Sequence, residues 1–128
     1  MKILEILDPK REIIDYLLHR EHCTLVDGIL VKDLDRVGRD IFNIVIVDNC
    51  IETFQLHPQN GLLIKSFVGQ PDDSELVLIQ SFLKELRKEK DVRCVSKRFE
   101  QYKRTDKWKK QFFSYNEFFK RKNYKLKS

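Results

Sequence analysis

Asp33-Leu34-Asp35 sets two carboxylates one residue apart, directly after an apolar triplet. A phosphoryl-transfer enzyme with an aspartate nucleophile shows that spacing. Such a nucleophile must stand at the carboxyl end of a buried central strand, where the backbone turns into a loop and aims the carboxylate into the ligand crevice. The triplet Ile29-Leu30-Val31 is short for that strand, and Lys32 interrupts it before the first aspartate. The preceding Asp27-Gly28 makes it the return arm of a hairpin. Asp33 then fits better as the cap of a short helix over 34–38, ended by Gly38.

A second acid stands at the end of Ile41–Val47, the most apolar run in the chain: Asp48, followed by Asn49. An acid and an amide at a strand tip suit Mg²⁺, a hard cation that takes oxygen ligands and keeps several waters. An Asp-Asn pair after a strand also fits a plain turn, so spacing alone leaves both readings open. His19, His22 and Cys23 cluster, but they lack a second pair at zinc spacing. His57, within Leu56–Gly61, reads as a turn or surface residue. Cys50 reads as a small packing residue, because no base neighbours it.

The elements that must position these groups are legible in outline. Residues 2–7 form a helix stopped before Pro9. Residues 12–18 admit helix or strand. Cys23–Val26 and Ile29–Val31 pair as a hairpin across Asp27-Gly28, which supplies positive φ. Residues 41–47 read as a parallel strand covered on both faces, and 61–66 as a shorter one. Residues 72–88 form a helix with Leu76, Ile79, Leu83 and Leu86 on one face, started by Asp72 and Glu75 after Pro71. A second short helix is expected over 90–99. Buried strands followed by amphipathic helices imply an α/β layered domain.

Composition sets the bounds. A chain of 128 residues, 41% hydrophobic and 35% charged, is one domain or part of one. No apolar stretch approaches the roughly 18–20 residues of a membrane span, and the acidic start argues against a secretory or transit segment. Three widely spaced cysteines suit reduced thiols, hence nucleus or cytoplasm. The net charge of +5 is uneven: residues 96–128 hold 12 Lys/Arg against 3 Asp/Glu, and the rest is net acidic. A domain over 1–98 and a basic, aromatic tail over 99–128 follow. No internal repeat and no Gly/Ser-rich or Pro-rich linker separates them. In the tail, Trp108, Phe112, Tyr115 and Phe119 recur at helical spacing. This stripe would pack on the domain, or dock an acidic protein partner; nucleic acid and a membrane surface are less favoured occupants.

The segments "HREHCTLVDGILVKDLDRVGRD" (19–40), "IVIVDN" (44–49), "FQLHPQNGLLIKSF" (54–67), "DDSELVLIQSFLKEL" (72–86) and "DVRCVSKRF" (91–99) occur in order with few gaps. Together they resemble the C-terminal half of the CTD-phosphatase homology domain, or NLI-interacting-factor-like domain, of the haloacid dehalogenase superfamily. The ending is most similar to the CTD small-phosphatase-like branch. The resemblance implies a partial haloacid-dehalogenase-like parallel sheet with a β-hairpin insertion and a helical tail. It implies Mg²⁺-dependent removal of phosphate from phosphoserine or phosphothreonine in proteins. It assigns the chemical lysine of the third motif to Lys32, where a point charge would steady the nucleophile and the transferring phosphoryl group. Asn49 would give an oxygen to Mg²⁺, and Asp48 would orient Lys32 or a bound water beside the metal.

The same resemblance places the nucleophile motif and the phosphate-binding Thr or Ser upstream of these residues. The expectation is a chain with no nucleophile of its own, inactive alone and completed by an upstream segment. In that case Ile44–Val47 would lack a neighbouring strand and expose an apolar edge. The alternatives are a non-catalytic protein-binding module, or a domain like the family's mitochondrial translocase receptor, whose catalytic positions are degenerate.

Overall fold

The computed structural model describes residues 2–110. The first helix, α1 (Lys2–Leu7), ends as expected before Pro9. Residues 12–18 are neither helix nor strand. The buried Asp8 carboxylate takes the backbone N–H groups of Glu12, Ile13 and Ile14 at 2.9, 3.1 and 2.8 Å. Those donors are then unavailable to a helix or a ladder.

The hairpin forms as its turn chemistry dictates. Strands β1 (Thr24–Val26) and β2 (Ile29–Val31) run antiparallel with Val26 opposite Ile29. Asp27 and Gly28 carry φ of 47° and 79°, the left-handed pair that a two-residue loop of matching twist needs. The next segment, Leu34–Val37, is a single 3-10 turn. Asp33 caps it by accepting the Asp35 N–H at 3.1 Å, and Gly38 closes it at φ 72°.

The long strand expected over 41–47 is mostly something else. Asp40 accepts the Phe42 N–H at 3.0 Å and starts a 3-10 turn over Ile41–Asn43. The buried Asn60 side chain then donates to the carbonyls of Ile41 and Ile44, at 2.7 and 2.9 Å. With those carbonyls engaged, only Ile46–Asp48 (β3) extends. It pairs in parallel with β4 (Gly61–Leu63), Ile46 opposite Gly61 and Asp48 opposite Leu63. Strand β4 is shorter than the expected 61–66: Ile64 N–H makes the last bond, to the Asp48 carbonyl, and Lys65 N–H turns to the Glu75 carboxylate.

Helix α2 covers Glu75–Leu86, inside the expected 72–88. Asp73, not Asp72, sits at its entrance and accepts the Glu75 N–H at 3.2 Å. Ile79, Phe82 and Leu86 face the core, whereas Leu76 is exposed. Helix α3 starts late, at Val95, and runs to Lys103. Asp91 and Arg93 grip each other, and Val92 N–H bonds the Phe42 carbonyl, which holds 91–93 in a turn.

The main core gathers Leu62 of β4, Ile79, Phe82 and Leu86 of α2, Val92, and Val95, Phe99 and Tyr102 of α3. Each fully buried side chain of this size is worth roughly 1.5–3 kcal/mol of transfer free energy. Phe82 stacks at a tilt on Phe99 and Tyr102, and the Ser81 and Tyr102 hydroxyls bond inside the cluster. The Ser96 hydroxyl ties α3 to the Gly61 carbonyl at 2.6 Å. Helix α3 runs across residue 98, so the core draws on both sides of that point. Trp108 packs against the cluster and donates its indole N–H to the Lys103 carbonyl at 3.0 Å. Phe112, Tyr115 and Phe119 lie outside the described residues. The result is a mixed α/β arrangement: a small parallel sheet backed by helices, with an antiparallel hairpin beside it.

Candidate active site

Lys32 leaves β2 with its backbone N–H fixed to the Thr53 carbonyl at 2.7 Å. Its side chain, about half exposed, crosses to β3 and places Nζ 2.5 Å from Asp48 Oδ2. Asp48 is the last residue of β3 and is buried. Its second oxygen accepts the Cys50 N–H at 2.9 Å. Burial raises the Asp48 pKa, but hydrogen bonds from Lys32 and the Cys50 backbone outweigh it and hold the carboxyl below the usual carboxylate value. Asp48 is therefore an anion at neutral pH, and it fixes the direction of the Lys32 ammonium.

Asn49 follows at the exposed tip, where its amide donates to the Ser66 hydroxyl at 3.1 Å. That bond leaves the Asn49 carbonyl oxygen for another partner. Lys32, Asp48 and Asn49, separated in sequence, thus share one corner between hairpin and parallel pair. Next to it runs a groove of about 730 Å³, lined by Leu30, Lys32 and Leu34 on one side and Val45, Ile46 and Val47 on the other. Among the described residues β3 pairs only with β4. The apolar run beside the groove is nevertheless not laid bare: Ile46 is buried, and Ile44, Val45 and Val47 are partly so.

Asp33, next to Lys32 in the chain and also lining the groove, turns to other partners. One of its oxygens receives the Asp35 N–H and lies 3.1 Å from His57 Nε2. The His57 hydrogen bond, with the Asp35 N–H, lowers its pKa. His57 is not the surface residue its loop suggested. Its side chain is 13% exposed, and its Nε2 is also 3.8 Å from Asp35 Oδ2. Asp33, Asp35 and His57 bring one donor atom each within 4.8 Å of one another. No local spacing signals this grouping, because 24 residues separate Asp33 from His57.

His19, His22 and Cys23 form no comparable set among the described residues: His22 Nδ1 is occupied by the His19 backbone N–H at 2.7 Å. Cys50 is exposed rather than packed. Its thiol donates to Glu52 at 3.1 Å, and that hydrogen bond raises its pKa away from the reactive thiolate.

The sequence model of the NLI interacting factor-like phosphatases matches residues 1–93. The CTD small phosphatase-like protein 2 of Dictyostelium discoideum is 39% identical over 92 residues, which cover 72% of this chain and 16% of that protein. A probable C-terminal domain small phosphatase of the same organism is 42% identical over 93 residues, 73% of this chain and 30% of the relative. The mitochondrial import inner membrane translocase subunit TIM50 of Kluyveromyces lactis is 39% identical over 100 residues, 77% of this chain and 21% of that subunit. The chain thus matches between 16% and 30% of the length of these three relatives.

Proposed function

The chain belongs to the NLI interacting factor-like phosphatase family, and from that premise we propose that it carries the phosphoryl-stabilising and metal-facing corner of a haloacid-dehalogenase-like phosphatase site. The substrate class is phosphoserine or phosphothreonine in proteins. One observation carries the reading: Lys32 Nζ, held 2.5 Å from Asp48 at the tip of β3, beside Asn49. Asp48 positions the ammonium without covering it, so its outer side can meet a phosphoryl oxygen.

The donors at the tip are oxygens only, the Asn49 carbonyl and the Asp48 carboxylate, which is the chemistry of a hard cation such as Mg²⁺. Asn49 would hold it directly. Asp48, with both oxygens engaged, would act through water. Bound there, the ion would neutralise charge on the phosphoryl group.

These 128 residues alone are proposed to turn over no substrate. Asp33 follows the short hairpin strand β2 rather than the buried parallel strand β3, caps a 3-10 turn and is bonded to His57. The test is p-nitrophenyl phosphate hydrolysis with Mg²⁺, together with inorganic phosphate binding followed by NMR shifts. We expect no turnover that depends on Asp33, and phosphate binding that weakens on Lys32→Met. Turnover abolished by Asp33→Asn, or phosphate binding indifferent to Lys32→Met, would overturn the reading. Nucleus or cytoplasm is proposed as its location, on the ground that its three cysteines are free thiols.

The similarity to a translocase subunit favours a second reading, a non-catalytic docking domain. Residues 99–128 would then engage an acidic protein partner, and phosphate would not compete. No helix among the described residues is long and apolar enough to cross a membrane.

A further inference from the structure

We propose that Asp33, Asp35 and His57 form a binding site for a divalent transition metal ion such as zinc, sharing no donor with the Asp48–Asn49 tip. The donor set is one imidazole nitrogen and two carboxylates. An imidazole ligand suits zinc, cobalt or nickel, whereas magnesium takes oxygen. Zinc holds nitrogen and oxygen ligands tetrahedrally at about 2.0–2.2 Å, so neighbouring donors around it lie roughly 3.3–3.6 Å apart. Here His57 Nε2 is 3.1 Å from Asp33 Oδ1 and 3.8 Å from Asp35 Oδ2, and the three atoms all fall within 4.8 Å. Small side-chain rotations close that triangle onto one ion.

The triangle is assembled before any ion arrives. Asp33 is fixed by capping the Leu34–Val37 turn, and the His57 ring is largely buried just before Pro58. Asp35 is 77% exposed, which leaves its side of the site open to water for the remaining coordination positions. Two cations close by in sequence have their hydrogen bonds elsewhere, although the Arg36 charge still acts on Asp33. Lys32 points to Asp48. Arg36 donates to the His22 carbonyl and the Thr24 hydroxyl at 3.1 and 3.3 Å. With the ion bound, Nε2 of the neutral ring would be the ligand atom with the ring hydrogen on Nδ1, any further imidazole proton would leave to water, and the direct Nε2–Asp33 contact would give way to two bonds to the metal. The ion then ties the loop that bears Lys32 to the turn that leads into β4.

The experiment uses the full chain, stripped with a chelator and titrated with Co²⁺ alone and then Zn²⁺ alone. Cobalt d–d absorption and calorimetry are the readouts. The expected result is one ion per chain without a thiolate charge-transfer band, displaced by zinc. Asp35→Asn, on an exposed side chain, should weaken it at least about ten-fold with the circular dichroism spectrum unchanged. His57→Gln should do the same, while His22→Gln should change nothing. No binding, a thiolate band, or binding indifferent to Asp35→Asn and His57→Gln each refutes the site.

Discussion

Lys32 and Asp48 touch at 2.5 Å although they belong to different sheets, one just past the hairpin and the other ending the parallel pair. The contact is a clamp between the two halves of the fold as well as a candidate phosphate-facing group. Lys32→Met should strand a buried carboxylate. Fully buried pairs lose several kcal/mol this way, but Lys32 is half exposed and water screens part of the effect, so the expected loss is about 1–2 kcal/mol. Adding Asp48→Asn should recover part of it. Urea unfolding of the two single variants and the double measures the cycle, and strict additivity would deny the coupling.

The acid limb of stability follows from the same pair. The Asp48 pKa is held below 3.8 in the fold, its ordinary value when unfolded. A carboxyl lowered by folding stabilises fully above the unfolded pKa and loses that contribution as pH falls through the folded one. Melting temperature should therefore drop as pH falls below about 3.8. Asp33 and Asp91, lowered by His57 and Arg93, add to the same limb. Asp48→Asn should be flatter over that interval than the parent. An identical slope in thermal melts would show that the Lys32 contact is not maintained in solution.

Asn60, 2% exposed, replaces strand pairing with side-chain bonds to the Ile41 and Ile44 carbonyls. Asn60→Ala leaves two carbonyls without that donor and should cost about 1–3 kcal/mol. Asn60→Asp should be worse, because it sets a buried anion against two carbonyl oxygens. Hydrogen exchange offers a local check: the Ile46 and Val47 amides should lose protection ahead of the α2 amides.

The contrast between what sequence revealed and what it hid has a physical basis. Asp27-Gly28 and Gly38 impose local backbone chemistry, so the hairpin and the capped Leu34–Val37 turn were legible residue by residue. The Ile41–Val47 run departs from a strand because its fate depends on Asn60, a residue from another segment that binds its carbonyls. Hydropathy reports burial, and burial here belongs to a 3-10 turn plus a three-residue strand. The same limit applies at the site. Asp48 and Asn49 stand out by their place after an apolar run, with a plain turn as the other reading, whereas the role of Lys32 comes from resemblance of whole segments. The approach of His57 to the Asp33–Asp35 pair, made by tertiary folding across 24 residues, leaves no trace in spacing.

Gly61 and Gly38 should respond to alanine for opposite reasons. Gly61 opens β4 with an ordinary extended backbone, so its requirement is room: a Cβ there would overlap the Phe54 ring. Phe54 is itself buried and packed with Leu34 and Ile46, and cannot swing out freely. Gly61→Ala should cost about 1–3 kcal/mol, as overpacking does. Phe54→Leu in the same chain should relieve part of the penalty. At Gly38 nothing stands near a Cβ, but φ is 72°. Gly38→Ala should cost about 1–2 kcal/mol of backbone strain, and Phe54→Leu should not relieve it. Denaturant midpoints of the two single and two double variants decide the matter, and equal rescue at both glycines would refute the close approach of Phe54 to Gly61.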